Sequence, residues 1–499
     1  MLERVGVVAV VVLLAWGVLG RPGRARGLAL AASLGLTVVL LAGDVWHQAQ
    51  VQAIVDRPPV AVALAALAGV VVVLATATAL RRPEVVPVAA VAVLPFRVPL
   101  TLGGETANLL VPLYLVIAAG GLARVVRDLR SGDGAPAPPR PTVWLERLLF
   151  GFVVLYALQA TYSGDLSKAV QNVAFFYVPF GVLFALLVET RWTRGLLRTW
   201  LGVLVGLALL FCAVAFLQEA THHVFLNDKL KESNAYNPYF RANSLFFDPN
   251  ILGRFLVVVL LLVAPIAAWA TDRRRIVPAV AVLVVVWLGL LTTLSQSSFG
   301  ALLMGLAVLA GARWTGRRLA VAGGVVIGVL AVLVLVFPGL VGLHLDRSSS
   351  IRKATSGRSD LVSGAATLFA DRPLTGWGSG AFSVEYRRER HDTNGNDVAA
   401  SHTIPLTVAV EQGVVGLAVY VALLVAAFQL LLRGARTALA RLAIGAAFAA
   451  LVVHTLGYAA FLEDPMTWAL LALGVALARR RERGREELTR AEMAGAPAA

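Results

Sequence analysis

Cysteine is nearly absent from this chain of 499 residues: Cys212 is the only one. A disulfide within the chain is excluded, and so is a zinc site built on cysteines. Cys212 lies inside an apolar run, where a small buried hydrophobe is expected. Charge is also scarce, at 15% of residues against 58% hydrophobic. A soluble domain of this length has no means of hiding so much apolar surface. The apolar and polar residues do not alternate as they would in the strands of a membrane β-barrel. They come in blocks instead. Residues 5–20, 27–43, 59–80, 170–188, 199–217, 255–270, 276–291, 319–337, 414–432 and 442–461 each carry almost no charge. A helix of about 20 residues crosses the hydrocarbon core and satisfies its own backbone there. The expected fold is therefore all-α: a polytopic transmembrane helical bundle of about 13–15 spans. Short apolar stretches at 85–95, 298–312 and 467–479 leave the count open. The first block lacks a small-residue cleavage pattern, and Arg21, Arg24 and Arg26 follow it, so a retained helix is expected.

The formal charge of +15 invites a nucleic-acid reading. Its arrangement argues for topology instead, because Arg and Lys gather in short loops between apolar blocks. The loops at 21–26, 81–84, 124–144, 191–198, 271–275, 313–318 and 433–441, with the tail from 479, hold 27 of them. The alternate loops hold 14, and only 3 once the long segments 220–248 and 339–404 are set aside. The positive-inside bias then places 220–248 and 339–404 outside the cytoplasm. A Pro- and Gly-rich stretch at 131–144 reads as a cytoplasmic linker. It divides N-terminal transmembrane helices (1–130) from a larger membrane domain (145–478), which a charged cytoplasmic tail (479–499) follows.

The two long outer segments are too polar to be mere turns, and long ordered loops usually carry function. The first ends in Arg241 and then Asp248-Pro249, a cap residue with proline in the first helical turn. Arg254 lies a turn further on and reads as snorkelling to the interface. The second is 66 residues long, with eight basic and seven acidic residues, a balance that suits a folded unit. Leu361, Ala365 and Leu368 stand at helical spacing, and 383–397 reads as part helix, part exposed loop. Ser401 or Thr403 caps the next span, with Pro405 in its first turn. Glu411 near the outer end of that span orients a neighbour or satisfies a polar pocket, and Gly413 and Gly416 allow close packing. Glu463-Asp464-Pro465 reads as an outer turn, and His222-His223 as loop surface. Arginines and a histidine at an outer interface suit a phosphate or diphosphate. There is no carboxylate cluster of the kind that holds magnesium.

His402-Thr403, with Gly413 and Gly416 following, resembles the histidine signature of the O-antigen ligase family, which includes lipid-linked glycan polymerases. Arg358 with the run 371–382, the stretch 241–254, and the turn Thr293-Leu-Ser-Gln-Ser-Ser-Phe-Gly300 resemble other parts of the same family, in order. Thr403 and Gln296 depart from its usual residues. The resemblance implies a multispan glycosyltransferase-like fold and an inverting, metal-independent transfer with no cofactor. The donor would be a glycan on undecaprenyl diphosphate, and the acceptor a hydroxyl on a glycan or glycoconjugate. The place would be the outer face of the cytoplasmic membrane, among its lipids. Arg241 and Arg358 would hold the diphosphate and His402 would be the base, with Arg254, Glu411 and Arg97 as supporting candidates. Two rivals stand beside this reading. One is a transporter or flippase of lipid-linked glycans, which would carry ionisable groups near mid-membrane. The other is a non-catalytic glycan-lipid binding protein.

Overall fold

Where they are described, the apolar blocks form helices, and among the described residues seven helices are long and apolar enough to cross a membrane. These are Leu2–Leu19, Arg24–Gly43, Leu166–Glu189, Arg194–Thr221, Pro249–Trp269, Arg273–Thr293 and Ile404–Leu432. Shorter apolar helices such as Trp144–Ala160 and Leu439–His454 run among them. The chain is a multi-pass helical membrane protein. The computed structural model describes residues 2–45, 58–102, 105–131, 144–225, 227–236, 239–313, 317, 358–390, 403–434, 438–458 and 460–493.

Helix starts follow local chemistry. The Asp248 side chain accepts from the Asn250 N–H at 2.6 Å, and Pro249 opens the helix behind it. Asp165 and Thr193 cap their helices in the same way, accepting from Lys168 and Leu196. The start at Ile404 differs from expectation. Thr403 occupies the cap position but makes no cap bond, and its hydroxyl donates to the Leu456 carbonyl at 3.2 Å.

One stretch departs from helix. Val85–Val93 has only 9 residues, a rise of about 14 Å and so about half a hydrocarbon thickness. Pro95, Pro99 and the Gly103-Gly104 pair disfavour continuing it. The chain pairs with itself instead, Val98–Leu102 antiparallel to Glu105–Leu109 with Leu102 opposite Glu105. Arg97 lies between the short helix and this hairpin.

A single apolar core runs from Val7 in the first helix to Ala476 in the last, so early and late helices share it. Buried ion pairs tie the same helices together. Arg26 meets Asp128 at 2.5 Å and Glu189 at 3.1 Å, and Arg124 reaches Glu189 at 3.1 Å. Arg479 pairs with Glu146 at 2.5 Å.

The second long segment is folded where it is described. Helices Arg358–Asp371 and Phe382–Arg390 bury Leu361, Ala365, Leu368, Phe382 and Tyr386 against Val410. The turn between them docks on the helix Ile404–Leu432, which is broken at Gly413 (φ 66°, ψ −164°). The break frees backbone groups that the turn then satisfies. Trp377 and Gly378 donate to the carbonyls of Val410 and Glu411, at 3.0 and 2.9 Å, and Val414 donates to Pro373 at 2.7 Å. Gln159 adds a side-chain donor to the Gln412 carbonyl at 3.1 Å. Gly413 is thus needed for its backbone angles and for the close approach of the turn, whose Leu374 carbonyl fills the space of a side chain. The expected role in helix–helix packing gives way to this one. Irregular backbone inside a membrane protein is tolerated where protein satisfies it or where it lines a cavity. Both conditions hold here.

Candidate active site

The docked turn, the broken helix and five other segments line a cavity of about 480 Å³. Its wall is chemically divided. Its charged groups fall into two neighbourhoods: Glu411 and Glu463 with Tyr156, Tyr177 and Lys168, and Arg97 and Arg254 with Asp248 and Tyr458.

The acidic wall is built by short-range bonds. Glu411 accepts from the Phe382 N–H at 3.2 Å, so the docked segment and the broken helix fix its orientation. Glu463 accepts from the Phe461 N–H at 2.9 Å and from the Tyr177 hydroxyl at 3.4 Å. Burial pushes the Glu463 carboxyl above the ordinary range, against the N–H bonds and Lys168 that favour its charged form. Tyr177 comes from a π-helical turn, Val173–Tyr177, that also turns Phe176 to the cavity. Such turns widen a helix and cluster at functional sites. Asn172 donates to the Tyr156 hydroxyl at 2.8 Å, and the Tyr156 and Tyr177 rings meet edge to face at 4.8 Å. Carboxylates beside aromatic faces can bind hydroxyl groups while covering the apolar edge of a ring.

The cationic wall is held by Arg254, which is buried and does not snorkel. Its Nη1 donates to Asp464 at 2.5 Å and to the Ala460 carbonyl at 3.0 Å, and its guanidinium lies 5.0 Å from the Tyr458 ring centre. The residues read from sequence as an outer turn therefore supply one cavity carboxylate, Glu463, and the counter-ion of a buried arginine, Asp464. Two acids before a proline that opens an apolar helix were the available signal. Sequence reasoning also passed over His454, fully buried in the last turn of its helix. Its Nε2 lies 3.2 Å from both Ser297 Oγ and Ser298 Oγ, and Ser295 joins this group and reaches Asn250 at 2.7 Å. The signal was an ionisable residue in an apolar block.

The sequence-derived candidates fall in different places. Arg97, Arg254 and Glu411 line the cavity together. Arg241 is not among its lining residues. It sits on the neighbouring turn, its Nε donating to the Thr293 carbonyl at 3.0 Å and its own backbone N–H to Asn234 at 3.2 Å. His402 lies outside the described residues, although Ile404 and Thr407, just after it, line the cavity. Arg358 opens its helix, and its side chain also lies outside the described residues. No group of three His, Cys, Asp or Glu able to hold a metal ion occurs among the described residues.

Residues 281–421 match the family model described as O-antigen ligase. Over this stretch the chain is similar to O-antigen ligases. The stretch contains the Ser295–Ser298 turn, the docked 358–390 segment, His402 and Glu411. No curated protein and no solved structure matches the chain. The similarity supports, in general terms, a membrane enzyme that transfers glycans. Here the cavity joins the matched stretch to parts on either side of it, since Arg97, Tyr156 and Arg254 precede it and Tyr458 and Glu463 follow it.

Proposed function

We propose that the chain transfers a glycan from a lipid diphosphate, of the undecaprenyl type, to a hydroxyl acceptor on the outer side of the cytoplasmic membrane. The carrying observation is the divided cavity, which offers cations to a diphosphate and carboxylates with aromatic rings to a sugar, inside an O-antigen ligase-like chain. His402 takes the proton of the acceptor hydroxyl as its oxygen attacks the anomeric carbon. The bond from that carbon to the diphosphate oxygen breaks, and the lipid diphosphate leaves with the electron pair. Attack opposite to the leaving group inverts the anomeric centre. Fixed guanidinium groups stabilise the leaving charge, and fixed cations do this best in a site with little water. Arg254, clamped by Asp464 and Ala460, is preorganised for that work. Arg241 and Arg358 keep, in this reading, the role of further diphosphate contacts that the family resemblance implies.

The test uses the full chain in lipid nanodiscs with a lipid-linked glycan donor. Removing a general base commonly costs 10²–10⁴-fold, so His402→Ala is expected to lower transfer by at least about a hundredfold. Undiminished transfer by that variant sinks the proposed base. Movement of labelled lipid across the bilayer with no new glycosidic bond favours transport instead.

A further inference from the structure

Arg97 is the half-buried cation of this cavity that has no ion pair among the described residues; Lys168, also in its lining, is exposed, and the Asp248 carboxylate there caps its own helix. Arg254 is neutralised by Asp464, whose Oδ2 it holds while Oδ1 accepts from the Met466 N–H. Arg97 makes no hydrogen bond or ion pair with any described residue, yet it lines the cavity. It is half-buried, and burial is the main influence lowering its pKa, with Arg254 adding to the effect and Asp464 opposing it. The cavity carboxylates Glu411 and Glu463 are not among the charges that act most on it. They stand with Tyr156, Tyr177 and Lys168 on the other wall. A guanidinium stays protonated, and a charge partly withdrawn from water without a partner pays part of its desolvation cost. A ligand anion between Arg97 and Arg254 removes that cost. The short helix Val85–Val93 stops before Arg97, and the hairpin turns the chain back after it. Interrupted helices place functional groups at binding sites in other membrane folds.

We propose that Arg97 is the anion-holding residue of this cavity and that a phosphate or diphosphate group sits between it and Arg254. The anion site stands on the cavity itself, while the assignment of its occupant to a glycan-carrying lipid rests on the transfer reaction proposed above. The N-terminal helices thereby complete a site whose other parts lie in and around the matched stretch.

The test uses the full chain in phosphatidylcholine nanodiscs with inorganic diphosphate as probe. Charge-assisted bonds to one guanidinium support an expected loss of roughly ten- to a hundredfold in diphosphate affinity for Arg97→Gln. Arg97→Lys retains part of the affinity, because charge persists and the planar fork is lost. Phenylglyoxal labelling of the wild type, read by mass spectrometry, needs no variant: diphosphate is expected to protect Arg97. Unprotected Arg97 at saturating diphosphate overturns the proposal, as does protection by phosphatidylglycerol in the disc with none from diphosphate. The two readings separate in the results. Arg97-dependent diphosphate binding without glycan transfer upholds the anion site and sinks the transferase. Transfer with an unchanged donor KM in Arg97→Gln does the reverse.

Discussion

Arg254 and Glu463 show how little a residue's neighbours in sequence say about its state. Arg254 has its counter-ion 210 positions away, so nothing near it in the chain distinguishes a paired arginine from a snorkelling one. Glu463 sits beside that counter-ion, and burial raises its carboxyl above the usual range. A raised carboxyl contributes stability that is fully present below the unfolded value, about 4.3. That contribution is lost as pH rises through the folded value. Glu463→Gln stays neutral throughout and lacks this dependence. The melting temperature of wild type, measured from pH 4 to 8, is therefore expected to fall relative to that of Glu463→Gln as pH rises. A constant difference between the two contradicts the protonated state. What sequence did reveal at this scale was chemical type: arginines and carboxylates at helix mouths. Which of them converge was hidden, because convergence depends on helices far apart in the chain.

At the level of elements, local rules worked wherever the cause was local. Asp248-Pro249 starts its helix, and Leu361, Ala365 and Leu368 face a core as their spacing predicts. Local rules missed the break at Gly413, since no proline marks it and the apolar run resumes at Val414 directly after Glu411-Gln412-Gly413. The break exists because a turn some 40 residues earlier, 372–381, replaces the lost helical bonds. Gly413→Ala meets both a Gly-specific backbone conformation and the Leu374 carbonyl. Such conformations cost about 1–3 kcal/mol for other residues. The variant is expected to lose at least that much stability, read by thermal unfolding, and to expose the 358–390 helices to limited proteolysis. Wild-type behaviour in both assays argues against the docked turn. The hairpin at 98–109 was equally hidden, although Pro95, Pro99 and two glycines marked where a helix stops.

Across the whole molecule, charges in short loops are read as topology, and that reading captures only part of their work. Arg26 and Arg479 belong to those loops, yet both side chains are buried in ion pairs. Asp128→Asn leaves Arg26 with Glu189 alone, which Arg124 already shares. Breaking a buried pair costs about 3–5 kcal/mol, and loss near the lower end is expected in unfolding with Glu189 still present. Little change places these charges in contact with headgroups or water. The membrane class and the order of helices were legible from composition and periodicity. This ionic cluster was not, because its members come from three separate helices and none stands out in its own loop.

The same cluster bears on how the protein can be cut. Glu189 lies on the matched side of the linker, while both arginines that neutralise it, Arg26 and Arg124, lie on the other. A shortened gene beginning after residue 131 would make a protein that keeps the anion and has lost both cations. It would also have lost Arg97. Trimming at the linker would therefore unsettle one end of the bundle and empty a place in the cavity at once, so the first 130 residues are better regarded as half of an interlocking pair than as an appendage.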